Sequence, residues 1–386
     1  MYPVSRMLRI GFNARALLDH GGIGAYTRNL LRHLVTYTVD DRLHIFVPKL
    51  ALLDFLPAGV HWEGIEVPGV NRWLWEQFAL PGALAKVELD CYHCPDFTLP
   101  PRLSVPGIIT IHDLSFILHP EGVAPRTRWL YRTQVPQSAA RAALVLCDSQ
   151  ATLNDVRAQN WTAPHKLEVV HLGVEDRFFT ELDSAVLAAF TTRMGLPGDY
   201  VLYLGALDKR KNLPTLLKAY RLLLEELPGT VPAPALVLAG PDHGERAPLE
   251  QLADALGIRD TLHIPGYVPD DDLPALLQGA SIFCYPSAFE GFGLPPLQAM
   301  AAGTPVIASD ATSLPEVVGD GGILLDPYDA VAWAEHLALL LTERERWIHY
   351  SRAGQERARQ MSWRQTARKT YDCYQRVVSQ TRGIYA

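Results

Sequence analysis

Short apolar runs rich in β-branched residues alternate along the chain with stretches whose apolar positions recur every three to four residues. In the first half, residues 8–12, 44–47, 107–111 and 143–147 read as strands, 23–34 as a helix, and 167–170 as a closing strand. The rhythm restarts at 200–204. It continues through a helix at 213–227, a strand at 235–239, a helix at 249–256, a strand at 262–264, a helix at 273–278, and strands at 282–285 and 306–308. The segments VLYLG, ALVLAG and SIFCYP are apolar throughout, as parallel strands buried on both faces must be. Such alternation predicts the α/β class, with parallel sheets joined by crossover helices. Between the halves, 172–199 lacks a strand pattern and sets Pro197 between Gly195 and Gly198, which predicts a linker there and domains at 1–180 and 190–362. From Ala330 the pattern is helical, with a break at Met361 and Ser362, where Ser362 is placed to cap a last helix over 363–386 that packs back on the first domain.

A length of 386 residues suits two such domains of roughly 150–200 residues each. The excess of 42 acidic over 35 basic residues, a net charge of −7, argues against bulk nucleic-acid binding, which needs a basic face. Five cysteines, an odd number, do not form a disulfide framework and favour a reducing cytoplasm. Cys91 and Cys94 make a lone C-x-x-C; although His93 and His112 exist, no second ligand pair follows at zinc spacing, so no metal is expected. No apolar run reaches the roughly 18 residues of a membrane span and the N-terminus lacks a signal-peptide core, which predicts a cytoplasmic protein, soluble or peripheral on the inner face of the plasma membrane.

Two segments carry candidate chemistry. Residues 205–212, GALDKRKN, lie between a strand and a helix, where an open α/β sheet presents ligands; the Arg210 fork and the Lys211 ammonium suit a diphosphate, while the plainer reading is a solvated basic turn. Residues 286–302, PSAFEGFGLPPLQAMAA, run from a strand into a helix, so that Gly291 and Gly293 allow close backbone approach and the helix start favours an anion; the plainer reading is a turn that packs helix on sheet. Glu290 is repelled by phosphate but accepts hydrogen bonds from neutral hydroxyls. Next to an anion site, it points to a phosphorylated sugar.

Glu290, the residue eight positions on, and the following AMAAGTPVIAS resemble the E-x7-E signature of glycosyltransferase family 4. GGIG at 21–24, TIHDLSF at 110–116, RKN at 210–212, IPGYV at 264–268 and MSW at 361–363 match in the same order over nearly the whole chain. The likeness extends to bacterial GDP-mannose-dependent mannosyltransferases. It implies a GT-B fold of two Rossmann-like domains facing a central cleft, and a retaining transfer from a nucleotide sugar to a saccharide or lipid-linked acceptor. Glu290 and Ser287 would hold the sugar, and the amides of Gly291, Phe292, Gly293 and Leu294 would hold sugar and diphosphate oxygens. Gly205, Arg210 and Lys211 would grip the diphosphate, Gly266, Tyr267 and Val268 would run past the base, and His112 would face the reacting carbon. Gly21, Gly22 and Gly24 would let the first loop approach the diphosphate or acceptor. Two positions depart from the pattern: Gln298 replaces the ribose-binding carboxylate, which implies altered nucleotide binding, and Ala206 stands where the family often has Arg.

No metal motif stands out, since Asp270, Asp271 and Asp272 read as capping of the helix that follows. With no convincing nucleophile, a front-face displacement through an oxocarbenium-like state is the expected route. No cofactor beyond the nucleotide sugar is expected, and the domains are expected to close over it. Candidate acceptor contacts are Asp113, Arg126 and Arg128. Between 122 and 147 there are also Arg132 and Arg141 but no acidic residue, with Trp129 and Tyr131 interleaved and Arg72, Trp73 and Trp75 upstream, a face suited to an anionic membrane or lipid diphosphate or, more plainly, an ordinary surface helix. The rival readings are a UDP-sugar-dependent transferase, a nucleotide-sugar epimerase, a non-catalytic sugar-nucleotide binder, and a pyridoxal-phosphate phosphorylase, for which no cofactor lysine motif is found.

Overall fold

The computed structural model describes residues 7–19, 21–58, 61–69, 71–228 and 232–383. Seven parallel strands build the first sheet: β1 (Arg9–Asn13), β2 (Arg42–Val47), β3 (Trp62–Glu66), β4 (Cys91–Cys94), β5 (Gly107–Ile111), β6 (Leu144–Cys147) and β7 (Leu167–Val169). Their spatial order is β3-β2-β1-β4-β5-β6-β7. Six more form the second: β8 (Tyr200–Leu204), β9 (Ala235–Ala239), β10 (Leu262–Gly266), β11 (Ile282–Tyr285), β12 (Val306–Ser309) and β13 (Ile323–Leu325), ordered β10-β9-β8-β11-β12-β13. Each sheet reverses its winding once, between β1 and β4 and between β8 and β11. At such a point the connecting segments diverge to opposite faces and leave a crevice beyond the carboxyl ends of the strands.

The chain divides into two units. One comprises the chain up to Ile117, Pro125–Gly173 and everything from Trp363; the other comprises Leu118–Ala124 and Val174–Ser362. The change of unit at Gly173 precedes the helix Ser184–Met194, which joins the second unit through Leu182 N–H to Gln278 Oε1 (3.0 Å) and Gln278 Nε2 to the Thr180 carbonyl (2.7 Å). That helix lies inside the segment expected to be a linker. Its stops were present in the sequence: the Asp183 carboxylate caps the start by accepting from Ala185 N–H, and Gly195 ends it at φ +62°.

Three strands lie outside the apolar pattern. β3 (WEGIE) is a half-exposed edge and β13 is three residues long. β4 (CYHC) is central and fully buried, yet it reads as polar because the partners of His93 come from far along the chain. His93 Nδ1 lies 2.6 Å from the Tyr374 hydroxyl on the helix Trp363–Thr381, Nε2 lies 2.9 Å from Thr110 Oγ1, and Thr110 in turn meets the Tyr26 hydroxyl at 3.1 Å. Burial, with a smaller push from His112, holds the His93 imidazole neutral down to about pH 3.

This relay fastens the last helix to the first sheet. Tyr374→Phe strands one buried ring nitrogen and is expected to remove about 1–3 kcal/mol in denaturant titration. Because the folded pKa of His93 is depressed, wild-type stability falls as the pH drops from about 6.5 toward 3, where only the unfolded chain takes the proton. A phenylalanine variant as stable as the wild type contradicts the relay.

Candidate active site

The second unit gathers its chemistry at the β8–β11 reversal. At the carboxyl ends of β8, β9 and β10 the backbones of Gly205, Gly240 and Gly266 lie side by side, with Gly240 N–H on the Gly266 carbonyl at 2.8 Å and Gly205 N–H on the Ala239 carbonyl at 2.9 Å. A side chain on Gly240 (φ +142°) would bring its Cβ within 2.0 Å of the Gly205 carbonyl oxygen, so the two loops close together only over glycine. Next, the Asp208 carboxylate accepts from Arg210 N–H (3.1 Å) and starts the tight turn Lys209–Lys211; Asn212, at φ +52°, leads into the helix Leu213–Glu226. The turn swings Arg210 and Lys211 toward the loop that follows β11.

There they meet Glu290. Lys211 Nζ donates to Glu290 Oε1 and to the Tyr285 hydroxyl (3.1 Å), Ser287 Oγ donates to Oε1 (2.6 Å), and Arg210 Nη1 lies 3.3 Å from Oε2 while donating to the Phe289 carbonyl (3.0 Å). The turn after β12 holds this loop from behind. Thr312 Oγ1 accepts from Glu290 N–H at 3.0 Å, and Ser313 Oγ donates to the Glu290 and Phe292 carbonyls at 3.0 and 2.7 Å. Both Glu290 and Lys211 are buried. Burial pushes the Glu290 carboxyl up, but the charges of Lys211 and Arg210 outweigh it and hold the group down at about 2. The stability this ionisation contributes is present above the ordinary carboxyl range and is lost only as pH falls toward 2.

Arg210, Lys211, Asp208 and Glu290 carry two charges of each sign, so the cations expected for a diphosphate are balanced internally. An incoming anion therefore meets cations that already hold Glu290. The helix Leu294–Ala301 begins after Gly293 (φ +113°), where a Cβ would meet Leu314 at 2.8 Å. Pro295 and Pro296 have no N–H, so the helix start has fewer donors for an anion than a regular first turn, and those it has come from 291–294. Gln298 is half-buried one turn further on, Tyr267 is exposed and Val268 buried. The roles of Asp208, Tyr285, Thr312 and Ser313 went unread in the sequence; only the Asp and Asn flanking KRK gave a local turn signal.

In the first unit, His112 stands just beyond β5 with both ring nitrogens engaged: Nδ1 is 2.7 Å from Asp148 Oδ2 and Nε2 is 2.8 Å from the Pro95 carbonyl. Tyr26 and Phe97 pack edge-on, with ring centroids 4.8 and 5.5 Å away. Burial pulls the imidazolium down, but the Asp148 charge and hydrogen bond and the Pro95 carbonyl prevail and hold it up at about 9. As placed, both ring nitrogens are engaged within the unit. Gly21 precedes the helix Gly22–Leu34; Gly22 faces open space, whereas a Cβ on Gly24 would lie 1.8 Å from the Asp19 carbonyl oxygen, so Gly24 serves packing within the chain. Asp113 caps the short helix Ser115–Leu118 through Ser115 N–H (2.8 Å), Arg126 is exposed and Arg128 half-buried.

Two expectations need correction. Arg72 and Trp75 do not face outward: Arg72 binds Glu76 (3.0 Å), Asp96 (2.8 Å) and the Tyr131 hydroxyl (2.7 Å), and Trp75 is buried with its indole N–H on the Val67 carbonyl. The Asp270–Asp272 turn makes no side-chain cap to the helix Leu273–Gln278; instead Asp272 pairs with Arg193 (2.6 Å) and Arg177 donates to the Asp270 carbonyl (2.7 Å).

The family model described as Glycosyl transferases group 1 matches residues 195–358, and the one described as Glycosyltransferase Family 4 matches residues 20–178. The chain is 35% identical over 370 residues to the O-antigen chain mannosyltransferase B of Escherichia coli, covering 92% of this chain and 95% of that protein. It is 28% identical over 275 residues to the serotype-specific mannosyltransferase WbdA of Escherichia coli, covering 70% of this chain but 33% of that longer protein. HepE of Anabaena, solved in complex with UDP and glucose, shares the fold at a TM-score of 0.72 and 18% identity, covering 95% of this chain and 99% of that one.

Asp148→Asn tests the pairing of His112 with Asp148. In an NMR titration His112 is expected to move from a midpoint near 9 to below its ordinary value, since burial alone disfavours the charge. The variant should lose about 3 kcal/mol at neutral pH, and the difference should vanish as pH rises through 9, where the wild type also loses the proton. An unchanged midpoint contradicts the pairing.

Proposed function

The chain belongs to glycosyltransferase family 4, and from that premise we propose that it moves mannose from GDP-mannose, with retention of configuration, to a saccharide or lipid-linked saccharide in cell-surface polysaccharide or glycolipid synthesis. The observation that carries this reading is the cluster of Arg210, Lys211 and Glu290 at the strand reversal of the second sheet. Mannose is favoured by the nearly full-length likeness to a protein named as a mannosyltransferase, and the guanosine nucleotide by the motif likeness in GGIG, TIHDLSF and RKN.

In this reading the diphosphate settles on Arg210 and Lys211 while Glu290 turns to the sugar hydroxyls. The bond from the sugar C1 to the β-phosphate oxygen breaks with its electron pair left on the phosphate, and the guanidinium and ammonium meet that added charge. The acceptor hydroxyl oxygen bonds to C1 on the same face and its proton passes to the departing phosphate oxygen. Glu290, turned from the cations, would accept hydrogen bonds from the sugar hydroxyls, with Ser287 beside it. Gln298 offers an amide to the ribose hydroxyls in place of a carboxylate. In this reading Arg210 and Lys211, rather than a divalent ion, meet the charge on the departing diphosphate, so transfer is expected to persist in chelator.

Glu290→Gln separates the two roles of that carboxylate. Removing one negative charge leaves the cluster net positive, so GDP is expected to bind more tightly in calorimetry, while mannose transfer falls about 100-fold or more. Unchanged GDP affinity together with near-normal transfer contradicts the donor site; tighter binding of UDP than GDP by the wild type would reassign the base to uridine and leave the diphosphate site standing.

A further inference from the structure

Resting on the donor reading above, we propose that Tyr285 is a positioning residue for the transfer: its hydroxyl is the neutral acceptor that holds the Lys211 ammonium in place for the diphosphate. Tyr285 ends β11, immediately before the loop that carries Ser287 and Glu290, and is buried. Lys211 Nζ makes two hydrogen bonds among the described residues, one to the Tyr285 hydroxyl (3.1 Å) and one to Glu290 Oε1. In the proposed transfer Glu290 leaves the ammonium for the sugar. The phenol is then the acceptor that stays with a buried cation.

The chemistry of that partner matters. A carboxylate cancels the charge that the departing diphosphate needs, whereas a hydroxyl favours the ammonium through its lone pair and leaves the charge whole. Burial first, and then the negative charge of Glu290, raise the Tyr285 phenol well above its ordinary value. Burial pulls the Lys211 ammonium down, Glu290 opposes that, Arg210 repels it and Asp208 supports it, with a net lowering. Lysine therefore titrates before tyrosine, and Tyr285 remains a neutral partner while it does so. The titratable groups that face Lys211 are Asp208 and Arg210 on its own turn, Glu290 on the loop after β11, and Tyr285.

The ring that carries the hydroxyl is fixed by its neighbours. It stacks with Tyr203 of β8, with centroids 5.7 Å and planes 16° apart, and with Phe283, at 5.9 Å and 19°. Tyr203 is buried in its turn and donates to the Ala206 carbonyl (2.9 Å), near the start of the segment whose other end carries Lys211. The phenol thus belongs to the sheet and reaches the cation turn from outside it. Its ring centre lies 5.3 Å from Lys211 Nζ, a cation–π contact that phenylalanine keeps, so the hydroxyl can be removed alone.

Tyr285→Phe is to be compared with the wild type in the full chain by two measurements. One is the titration of the Lys211 ammonium by nitrogen NMR, its signal assigned by loss in Lys211→Met; the other is GDP affinity across pH by calorimetry. The Lys211 midpoint of the variant is expected below that of the wild type, because the charged form has lost an acceptor. GDP affinity should fall about 10-fold, and its alkaline limb should move to lower pH with the lysine. If phenylalanine fails to fold by circular dichroism, 4-fluorophenylalanine installed at position 285, close to the phenol in shape but a poor acceptor, makes the same comparison. The proposal is overturned if the Lys211 midpoint or the alkaline limb stays where it was, or if affinity falls by one factor at every pH, as a packing defect alone would cause. A wild type that binds no GDP sinks the donor reading and this role with it, whereas GDP binding with an unmoved Lys211 midpoint sinks the role of Tyr285 alone.

Discussion

A buried carboxylate pressed against two cations governs the second unit. Glu290 stays charged in a place where burial alone would neutralise it, because Lys211, Arg210 and Ser287 surround it. Buried ion pairs of this kind add little net stability, since desolvation offsets most of the attraction. What they do provide is a balanced group of charges in which one carboxylate engages both cations. Around the group, Asp208 and Asn212 set the cation turn and Thr312 and Ser313 brace the loop of Glu290.

The strands at the centre of both sheets were legible because burial on two faces leaves continuous apolar runs, as in VLYLG and ALVLAG. β4 was not, since a histidine satisfied by Tyr374 and Thr110 looks polar in sequence and is core in space. The helix Ser184–Met194 was legible in principle from Asp183 and Gly195, but its weak apolar face drew the eye to the glycines and proline instead. At the site, Arg210, Lys211 and Glu290 were each found by local context. Their pairing was not, because the two segments lie 80 residues apart and only the β8–β11 adjacency brings them together.

The first unit shows the opposite balance. His112, expected to face substrate, has its ring nitrogens on Asp148 and the Pro95 carbonyl, a pairing that depends on β5 and β6 lying side by side. Arg72 looked like a surface cation beside two tryptophans, but two acids, the buried Glu76 and the half-buried Asp96, draw it inward and sort those aromatics into core and surface. Composition along the chain cannot sort them, because Trp73 and Trp75 are two residues apart and differ only in which side of one turn they occupy.

The most direct measurement is a crystal structure of the chain with an unhydrolysable GDP-mannose analogue. The account predicts the diphosphate oxygens on Arg210 and Lys211, with the Glu290 carboxylate parted from Lys211 and on the mannose hydroxyls. A complex in which Glu290 still bridges both cations and the nucleotide lies elsewhere contradicts it.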